Sequence, residues 1–206
     1  MAKAKKKKKK AKTQKLLIGG LLYTLLFAGA AETITGSDSD NKCGGDELWE
    51  QKVLVDSQAS KIITTPEETT IKEINRIPSD TERRTSATPR LSFEKQIVTV
   101  RHALIREVIL EDDNDLHLVV QDREGNHLIA EIPDPACNQA QRSDYIDDYS
   151  DAREAMKKHA HDFQHWEFDI TGVLFKDRPH RQTGKADNNI EIHPVLKLRA
   201  VQQLNF

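Results

Sequence analysis

The sequence predicts a mainly β (α+β) fold, in which five strands form a small barrel and one amphipathic helix lies between the third and fourth strands. Three observations support this prediction. Apolar and polar residues alternate over several separate segments, as they do in half-buried strands. One segment, 144–163, changes to a period of three to four residues. The first strand segment is long and its alternation slips, which is typical of a bulged strand.

The barrel domain is expected to span residues 96–200 and to begin with a strand over 96–111, a segment rich in β-branched residues. Its apolar positions change phase along the segment, in the order Val98 and Val100, Ala103 and Ile105, Val108 and Leu110. A bulge changes which face of the sheet the following residues occupy. The changes of phase therefore indicate one long strand with bulges.

Two shorter strands follow, and turns separate them. The runs 112–115 and 122–126 are rich in Asp, Asn and Gly, which favour turns. The apolar residues of the two strands alternate: Leu116, Leu118 and Val120, then Leu128, Ala130 and Ile132. Pro133 and Pro135 end the third strand.

The segment 144–163 predicts an amphipathic helix. Its apolar residues recur every three or four positions: Tyr145, Tyr149, Ala152, Met156, Ala160 and Phe163. Alternation returns over 167–175 and 190–198, and the polar segment 179–189 between them is expected to be a loop.

The predicted order is a long bent strand, two strands, a helix and two strands. This is the order of the OB-fold, a five-stranded barrel with a helix between strands three and four. The sequence therefore predicts an OB-like barrel, preceded by a linker and irregular N-terminal extension over residues 32–95.

The first 31 residues predict a secretory signal peptide. They contain nine lysines and no acidic residue, and an apolar stretch from Leu16 ends in small residues at Ala28 to Ala31. An uncleaved anchor is the alternative, but 16 apolar residues fall short of the roughly 20 that span a bilayer. The protein is therefore expected in the periplasm or outside the cell, with membrane contact only through an uncleaved N-terminus.

Because the protein is expected to be exported, we predict a disulfide bond between its only two cysteines, Cys43 and Cys137. An oxidising compartment favours the pairing of two such residues. The bond would tie the mature N-terminus to the segment that follows the third strand.

The charge of the chain is divided unevenly. Residues 32–206 hold 22 basic and 33 acidic residues, a formal charge of −11, because the signal peptide carries nine of the 31 bases. Proteins that bind a nucleic-acid backbone usually present a basic face. The composition therefore disfavours generic nucleic-acid binding, and it leaves a cationic or polymeric ligand as the expectation.

Several segments resemble a set of uncharacterised exported bacterial proteins, whose last strand ends in Ile-Glu-Leu-His-Pro-Val. These segments are 110–120, 129–134, 170–173, 180–184 and 190–195, the last of which reads Ile-Glu-Ile-His-Pro-Val. The resemblance covers roughly Cys43 to Leu198 and implies export, but no established reaction. This chain has Arg181 where the relatives tend to have glycine. In layout the barrel is also similar to periplasmic bacterial OB-fold proteins, whose acidic surfaces have suggested cationic ligands.

Polar residues of the last strand and of the loop before it form the candidate ligand-binding site. Glu191 and His193 alternate with the apolar positions of the strand, and the loop supplies Asp177, His180 and Gln182. If the loop folds over the barrel mouth, these side chains converge, and His117 of the second strand joins them. Imidazole with carboxylate binds a divalent metal or transfers protons at neutral pH. The alternative is that His193 only hydrogen-bonds its neighbours in the fold.

Three hypotheses of function follow. The first, which we favour, is a non-catalytic exported module that binds a ligand through the candidate site and needs no cofactor. The second is a metal-dependent, phosphodiesterase-like hydrolase with one divalent metal ion on His180, Glu191 and His193, assisted by Asp177. The third is an acidic protein of the cell envelope that binds partners through its surface. The sequence has no Gly-rich phosphate loop, Gly-x-Ser-x-Gly elbow or His-Glu-x-x-His motif.

Overall fold

A computed structural model describes residues 43–44, 48–78, 84–85, 87–179 and 182–205. The predicted signal peptide and two loop residues, His180 and Arg181, lie outside the described residues. Within those ranges, no helix is long and apolar enough to cross a membrane.

Six strands and three short or medium α-helices make up the described chain. The strands are β1 Ile63–Thr69, β2 Gln96–Leu110, β3 Leu116–Gln121, β4 His127–Ile132, β5 Trp166–Lys176 and β6 Ile190–Gln203. The helices are α1 Trp49–Lys52, α2 Ile71–Ile74 and α3 Ile146–Lys158. Single 3-10 turns lie at Ala59–Lys61, Phe93–Lys95, Ala140–Arg142 and Phe163–His165.

Five of the strands close into a mixed barrel in the order β2-β3-β4-β6-β5, and β5 pairs back onto β2. The β4–β6 pair is parallel, whereas β2–β3, β3–β4, β5–β6 and β2–β5 are antiparallel. Strand β1 adds to β2 in parallel and stands outside the closed circle. The predicted barrel, with its helix between the third and fourth barrel strands, is confirmed.

The irregular alternation of β2 has the predicted cause. Its register against β5 shifts between Val100 and Ala103, and its register against β3 shifts between Ile105 and Glu107. These are the places where the apolar positions change phase. The bulges let one strand pair with β5 along its first half and with β3 along its second half, which closes the barrel.

The N-terminal extension packs on the outside of the barrel. Trp49, Val53 and Leu54 form a second apolar cluster together with Tyr149 of α3 and Val173 of β5. The Tyr149 hydroxyl donates a hydrogen bond to the Val53 carbonyl at 3.0 Å. The predicted disulfide is present between Cys43 and Cys137, and it closes 94 residues of chain. It ties the start of the extension to the segment that follows β4.

Candidate functional site

Seven charged or titratable side chains lie together between the barrel wall and the N-terminal extension. We call them the buried cluster: Lys52, Asp115, His117, Glu131, Asp177, Glu191 and His193. Each is at most 6% exposed. Asp115 immediately precedes β3, Glu131 lies near the end of β4, and Asp177 follows β5. These strand ends meet at one end of the barrel, which brings together residues that are far apart in sequence.

The alternation of the strands explains why polar side chains lie on the outside of the wall. Leu116 and Leu118 contribute to the barrel core, so His117 between them faces the other way. His117 pairs in register with Glu131 of the neighbouring strand. Ile190 and Ile192 likewise lie in the core, and Glu191 faces the opposite side. The extension then covers this polar patch.

His193 lies at the centre of the buried cluster and is fully buried. Its Nδ1 is 2.8 Å from Glu131 Oε2 and 3.2 Å from Glu191 Oε1. Its Nε2, on the other side of the ring, is 3.4 Å from Asp115 Oδ2. Burial acts to lower the pKa of His193, but the carboxylates of Asp115, Glu131 and Glu191 outweigh it and raise the pKa well above the usual value.

His117 links the cluster to the loop before β6. Its Nδ1 is 3.0 Å from Glu131 Oε1, and its Nε2 donates to the Thr183 carbonyl at 2.9 Å. Burial opposes the charged ring, but the hydrogen bond to Glu131 and the Thr183 carbonyl give a net rise in the pKa of His117. Since both ring nitrogens face acceptors, the geometry favours the doubly protonated imidazole.

Lys52 is the cation that the extension adds to the cluster. Its Nζ lies 3.3 Å from Asp177 Oδ2, 3.7 Å from Glu191 Oε1 and 4.0 Å from Glu131 Oε2. The same ammonium lies 5.5 Å from the centre of the Phe175 ring, within reach of a cation–π interaction. One lysine thus faces three carboxylates in a region with little exposure to solvent.

The carboxylates of the cluster differ in their proton affinity. Burial raises the pKa of Asp115 to about 6, although His193 opposes the rise. Burial, and then the charge of Glu131, raise the pKa of Glu191 to about 7. For Glu131 burial acts in the same direction, but Lys52 and the two histidines outweigh it and hold its pKa well below the usual value. Glu131 is therefore the permanent negative charge of the cluster.

Two buried atoms of the cluster have no hydrogen-bond partner among the described residues, namely Asp115 Oδ2 and His193 Nε2. The other oxygen of Asp115 accepts a hydrogen bond from the Asp134 amide at 3.1 Å. A buried polar atom without a hydrogen bond costs about 1–3 kcal/mol, so native proteins contain few of them. The two atoms face each other across 3.4 Å. One possible ligand atom from each of Asp115, Glu131 and His193 lies within 4.8 Å of the other two, although Glu131 contacts the opposite ring nitrogen of His193.

Aromatic rings enclose this part of the cluster. The ring centres of Trp49 and Phe175 lie 6.5 Å and 6.1 Å from that of His193. Such walls exclude water and strengthen every charge interaction inside. The arrangement can hold a small cation.

Three of the sequence-predicted ligand-binding residues, Asp177, Glu191 and His193, belong to the buried cluster. Gln182 lines a shallow cleft next to Asp177 and Glu191, at the edge of the cluster. His180, the fifth residue of that set, lies outside the described residues.

Sequence reasoning missed three members of the buried cluster: Lys52, Asp115 and Glu131. The pattern around Asp115 predicts only a turn, and Lys52 lies in an extension without a sequence motif. A signal for Glu131 did exist. Strand alternation places it on the same face as His117, and a short turn between the two strands makes them direct neighbours.

Comparisons with known proteins found no match: no family model fits the chain, and no curated protein or solved structure is significantly similar to it. The chemistry of the site therefore has to be argued from its geometry.

Proposed function

We propose that the protein is an exported, non-catalytic binding module whose barrel holds one divalent cation between Asp115, Glu131 and His193. The observation that carries the proposal is the facing pair of buried atoms, Asp115 Oδ2 and His193 Nε2, which lack hydrogen bonds. A cation between them would replace the proton on His193 Nε2 and would coordinate both atoms, so its binding should release a proton. The Cys43–Cys137 disulfide supports the exported part of the proposal, since such bonds persist in oxidising compartments.

The spacing of the two atoms suits a metal ion. Zinc lies roughly 2.0–2.2 Å from imidazole nitrogen and carboxylate oxygen, so tetrahedral ligands of one ion stand roughly 3.3–3.6 Å apart. Asp115 Oδ2 and His193 Nε2 are 3.4 Å apart. The distance is long for a hydrogen bond between charged groups, which is about 2.7–2.9 Å. It therefore fits two ligands of one ion better than it fits an ion pair.

The charge of the cluster also favours a cation. Four buried carboxylates, those of Asp115, Glu131, Asp177 and Glu191, face one lysine and two histidines. Buried carboxylates are costly unless a cation or a proton neutralises them. One imidazole with two carboxylates suits Zn²⁺ or Mn²⁺ better than Ca²⁺, which takes six to eight oxygen ligands.

The hydrolase hypothesis draws on the same donors but needs more than they offer. A catalytic metal keeps one coordination position open to water or substrate. The three donors are at most 3% exposed, and α1 lies against them. This burial supports a cation that is held in place rather than one that meets a substrate.

Elemental analysis tests the proposal. The mature protein, residues 32–206, would be purified without a histidine tag or chelator, and then incubated with Zn²⁺ or Mn²⁺ and desalted. We expect one divalent ion per chain, and its loss in Asp115→Asn and in His193→Gln. His127→Gln is the matched control, because His127 is an exposed residue of β4, the strand that carries Glu131.

Three further outcomes are informative. A folded wild-type protein that takes up no ion, or an Asp115→Asn variant that retains it in full, would overturn the proposal. Circular dichroism of each variant separates loss of the ion from loss of the fold. Metal-dependent hydrolysis of bis(4-nitrophenyl) phosphate, abolished in Asp115→Asn, would replace the non-catalytic module by the hydrolase.

A further inference from the structure

A second polar site lies far from the buried cluster, on the outer face of the barrel. Two surface cavities of about 500 Å³ and 410 Å³ adjoin there and share Glu68 and Arg101. They extend over β1, β2, the first half of β5 and the second half of β6. We call this region the outer groove. The buried cluster lies at the opposite ends of β5 and β6.

Two buried carboxylates form the floor beneath the basic side chains of the outer groove: Asp169 lines the smaller cavity, and Glu167 binds Arg123 and His102 of the larger one. Glu167 and Asp169 are 1% and 6% exposed. They alternate along β5 with Phe168 and Ile170, which lie in the core, so both carboxylates face outward. Their burial comes from the basic side chains that cover them.

Glu167 holds two basic side chains at once. Its Oε1 accepts a hydrogen bond from Arg123 Nε at 2.9 Å, and its Oε2 lies 2.8 Å from His102 Nδ1. Burial acts to raise the pKa of Glu167, but Arg123 and His102 outweigh it and lower the pKa below its usual value. The carboxylate is therefore ionised at neutral pH.

Asp169 holds two guanidinium groups and one backbone amide. Its Oδ2 accepts hydrogen bonds from Arg101 Nη1 at 2.7 Å and from Arg199 Nη2 at 2.6 Å. Its Oδ1 accepts one from the His102 amide at 3.2 Å. Burial acts against its charge, but the two arginines lower the pKa of Asp169 overall.

His102 has a backbone conformation that few side chains adopt. It lies in the first bulge of β2 with a φ of 53°, in the left-handed region. That conformation costs about 1–2 kcal/mol for a residue with a side chain, and such residues are concentrated at functional sites. The bulge directs the imidazole into the groove, where 59% of the side chain is exposed.

The order of the layers brings guanidinium groups to the surface of the groove. The carboxylates lie underneath, while the side chains of Arg101, Arg123 and Arg199 are 44%, 68% and 57% exposed. Among the described residues, Nη1 of Arg123 and Nη1 of Arg199 take part in no hydrogen bond. These donors are held in place by the carboxylates and directed to solvent.

Acidic side chains at the rim of the groove are already engaged. Glu73 caps α2 through Thr70, and Glu124 pairs with Lys72 at 2.7 Å. Asp122 accepts hydrogen bonds within its own turn, from the amides of residues 124 and 126. Glu68 pairs with Arg101. The exposed arginines above the floor are therefore the groups that would meet a ligand.

We infer that the outer groove binds a small ligand that carries two or more oxyanion groups, of the phosphate or sulfate class. Guanidinium groups held in a fixed orientation bind such oxyanions through paired hydrogen bonds. Cavities of 300–1,000 Å³ are typical of sites for small molecules. A long polyanion is disfavoured, because residues 32–206 as a whole have a formal charge of −11.

Isothermal titration calorimetry with sodium tripolyphosphate tests the inference. The mature protein would first be treated with chelator and desalted, so that the probe cannot act by removing metal. We expect saturable binding at low ionic strength that weakens with added salt. Arg123→Gln and Arg199→Gln should each raise the Kd about tenfold or more, the effect of one charge-assisted hydrogen bond.

Matched controls distinguish this site from the buried cluster. Arg106→Gln removes an exposed arginine of β2 that pairs with Gln121 outside the groove, and it should leave the Kd unchanged. Asp115→Asn should also bind tripolyphosphate normally, whatever it does to the cation. Titrations with inorganic phosphate and with sulfate show which oxyanion the groove prefers.

Two results would overturn the inference. One is the absence of saturable binding of tripolyphosphate, phosphate and sulfate by the folded protein. The other is an equal loss of affinity in Arg106→Gln and in Arg123→Gln, which would indicate attraction by the general surface charge and no defined site.

Discussion

The buried cluster and the outer groove both contain carboxylates and cationic side chains, but they arrange them differently with respect to solvent. In the cluster, four carboxylates surround one lysine and two histidines, and the N-terminal extension shields all of them from water. In the groove, two carboxylates lie underneath and exposed arginines lie on top. Both regions use β5 and β6, at opposite ends of the same strands. The order of the layers therefore decides which charged groups of each region meet solvent.

This difference determines what each region can bind. A closed cluster admits an ion that sheds its water and takes protein ligands, whereas an open groove admits a polyatomic anion. The two regions should also differ in energy. Removing one partner from a buried ion pair costs about 3–5 kcal/mol, but exposed pairs contribute about 0–1 kcal/mol. Three experiments use that contrast, from the largest expected effect to the smallest.

Removal of the disulfide should affect the cluster and spare the groove. On the chain-entropy model, a bond that closes 94 residues stabilises the fold by about 4–5 kcal/mol. The double variant Cys43→Ser, Cys137→Ser should lose about that much free energy of unfolding in urea titrations. It should also retain less divalent ion, because the extension that covers the cluster is no longer tied down. Tripolyphosphate binding at the groove should persist while the protein is folded.

The disulfide experiment would contradict the comparison if the double variant kept its cation but lost tripolyphosphate binding. An unchanged free energy of unfolding would show that the extension is held by its packing alone.

Lys52→Met should destabilise the protein by about 3 kcal/mol, because it removes the ammonium paired with the buried Asp177 and a positive charge near Glu131 and Glu191. A saturating divalent ion should restore part of that loss by supplying positive charge. The measurement is urea unfolding with and without Zn²⁺. Lys158→Met is the matched control, since Lys158 is 68% exposed and pairs only along its own helix with Glu154.

A loss from Lys52→Met no larger than that from Lys158→Met would show that the cluster tolerates its negative charge. Equal destabilisation in the presence and absence of Zn²⁺ would separate Lys52 from the cation site.

Glu167→Gln should have a smaller effect that depends on pH. The folded-state pKa of Glu167 lies below its usual value, so its ion pairs stabilise the fold above the unfolded pKa, which is about 4.3. That contribution is lost as the pH falls through the lowered folded-state pKa. The variant should therefore differ from wild type by about 1 kcal/mol or less at pH 7, and the difference should vanish towards pH 3.

Thermal unfolding between pH 3 and pH 7 measures this dependence. Glu124→Gln, which removes an exposed pair with Lys72, should follow the wild-type curve. A Glu167→Gln difference that grows on acidification would contradict the account of the groove floor.

Local sequence patterns predicted the barrel well, because bulges and turns depend on only a few neighbouring residues. The phase changes around Val100 and Ile105 predicted the bulges, and the turns at 112–115 and 122–126 predicted the first hairpins. The pairing of Cys43 with Cys137 needed only the count of cysteines and a predicted compartment. Each of these predictions depends on interactions between residues close in sequence or, for the two cysteines, on there being only one possible pair.

The two polar sites depend on contacts that no local pattern reports. Lys52 meets Asp177 across 125 positions of sequence, and His102 meets Glu167 across 65. The alternation of a strand shows that Glu191 faces away from the core, but it does not show what covers that face. Here the cover is the N-terminal extension, whose sequence has weak periodicity.

Anomalous X-ray scattering from crystals soaked in Zn²⁺, recorded at the zinc absorption edge, tests the central claim most directly. The account predicts one strong peak per chain, about 2.0–2.2 Å from His193 Nε2 and from an oxygen of Asp115, and no peak at that position in Asp115→Asn crystals. A wild-type crystal without a peak between Asp115, Glu131 and His193, in which those side chains are ordered as described, would contradict it.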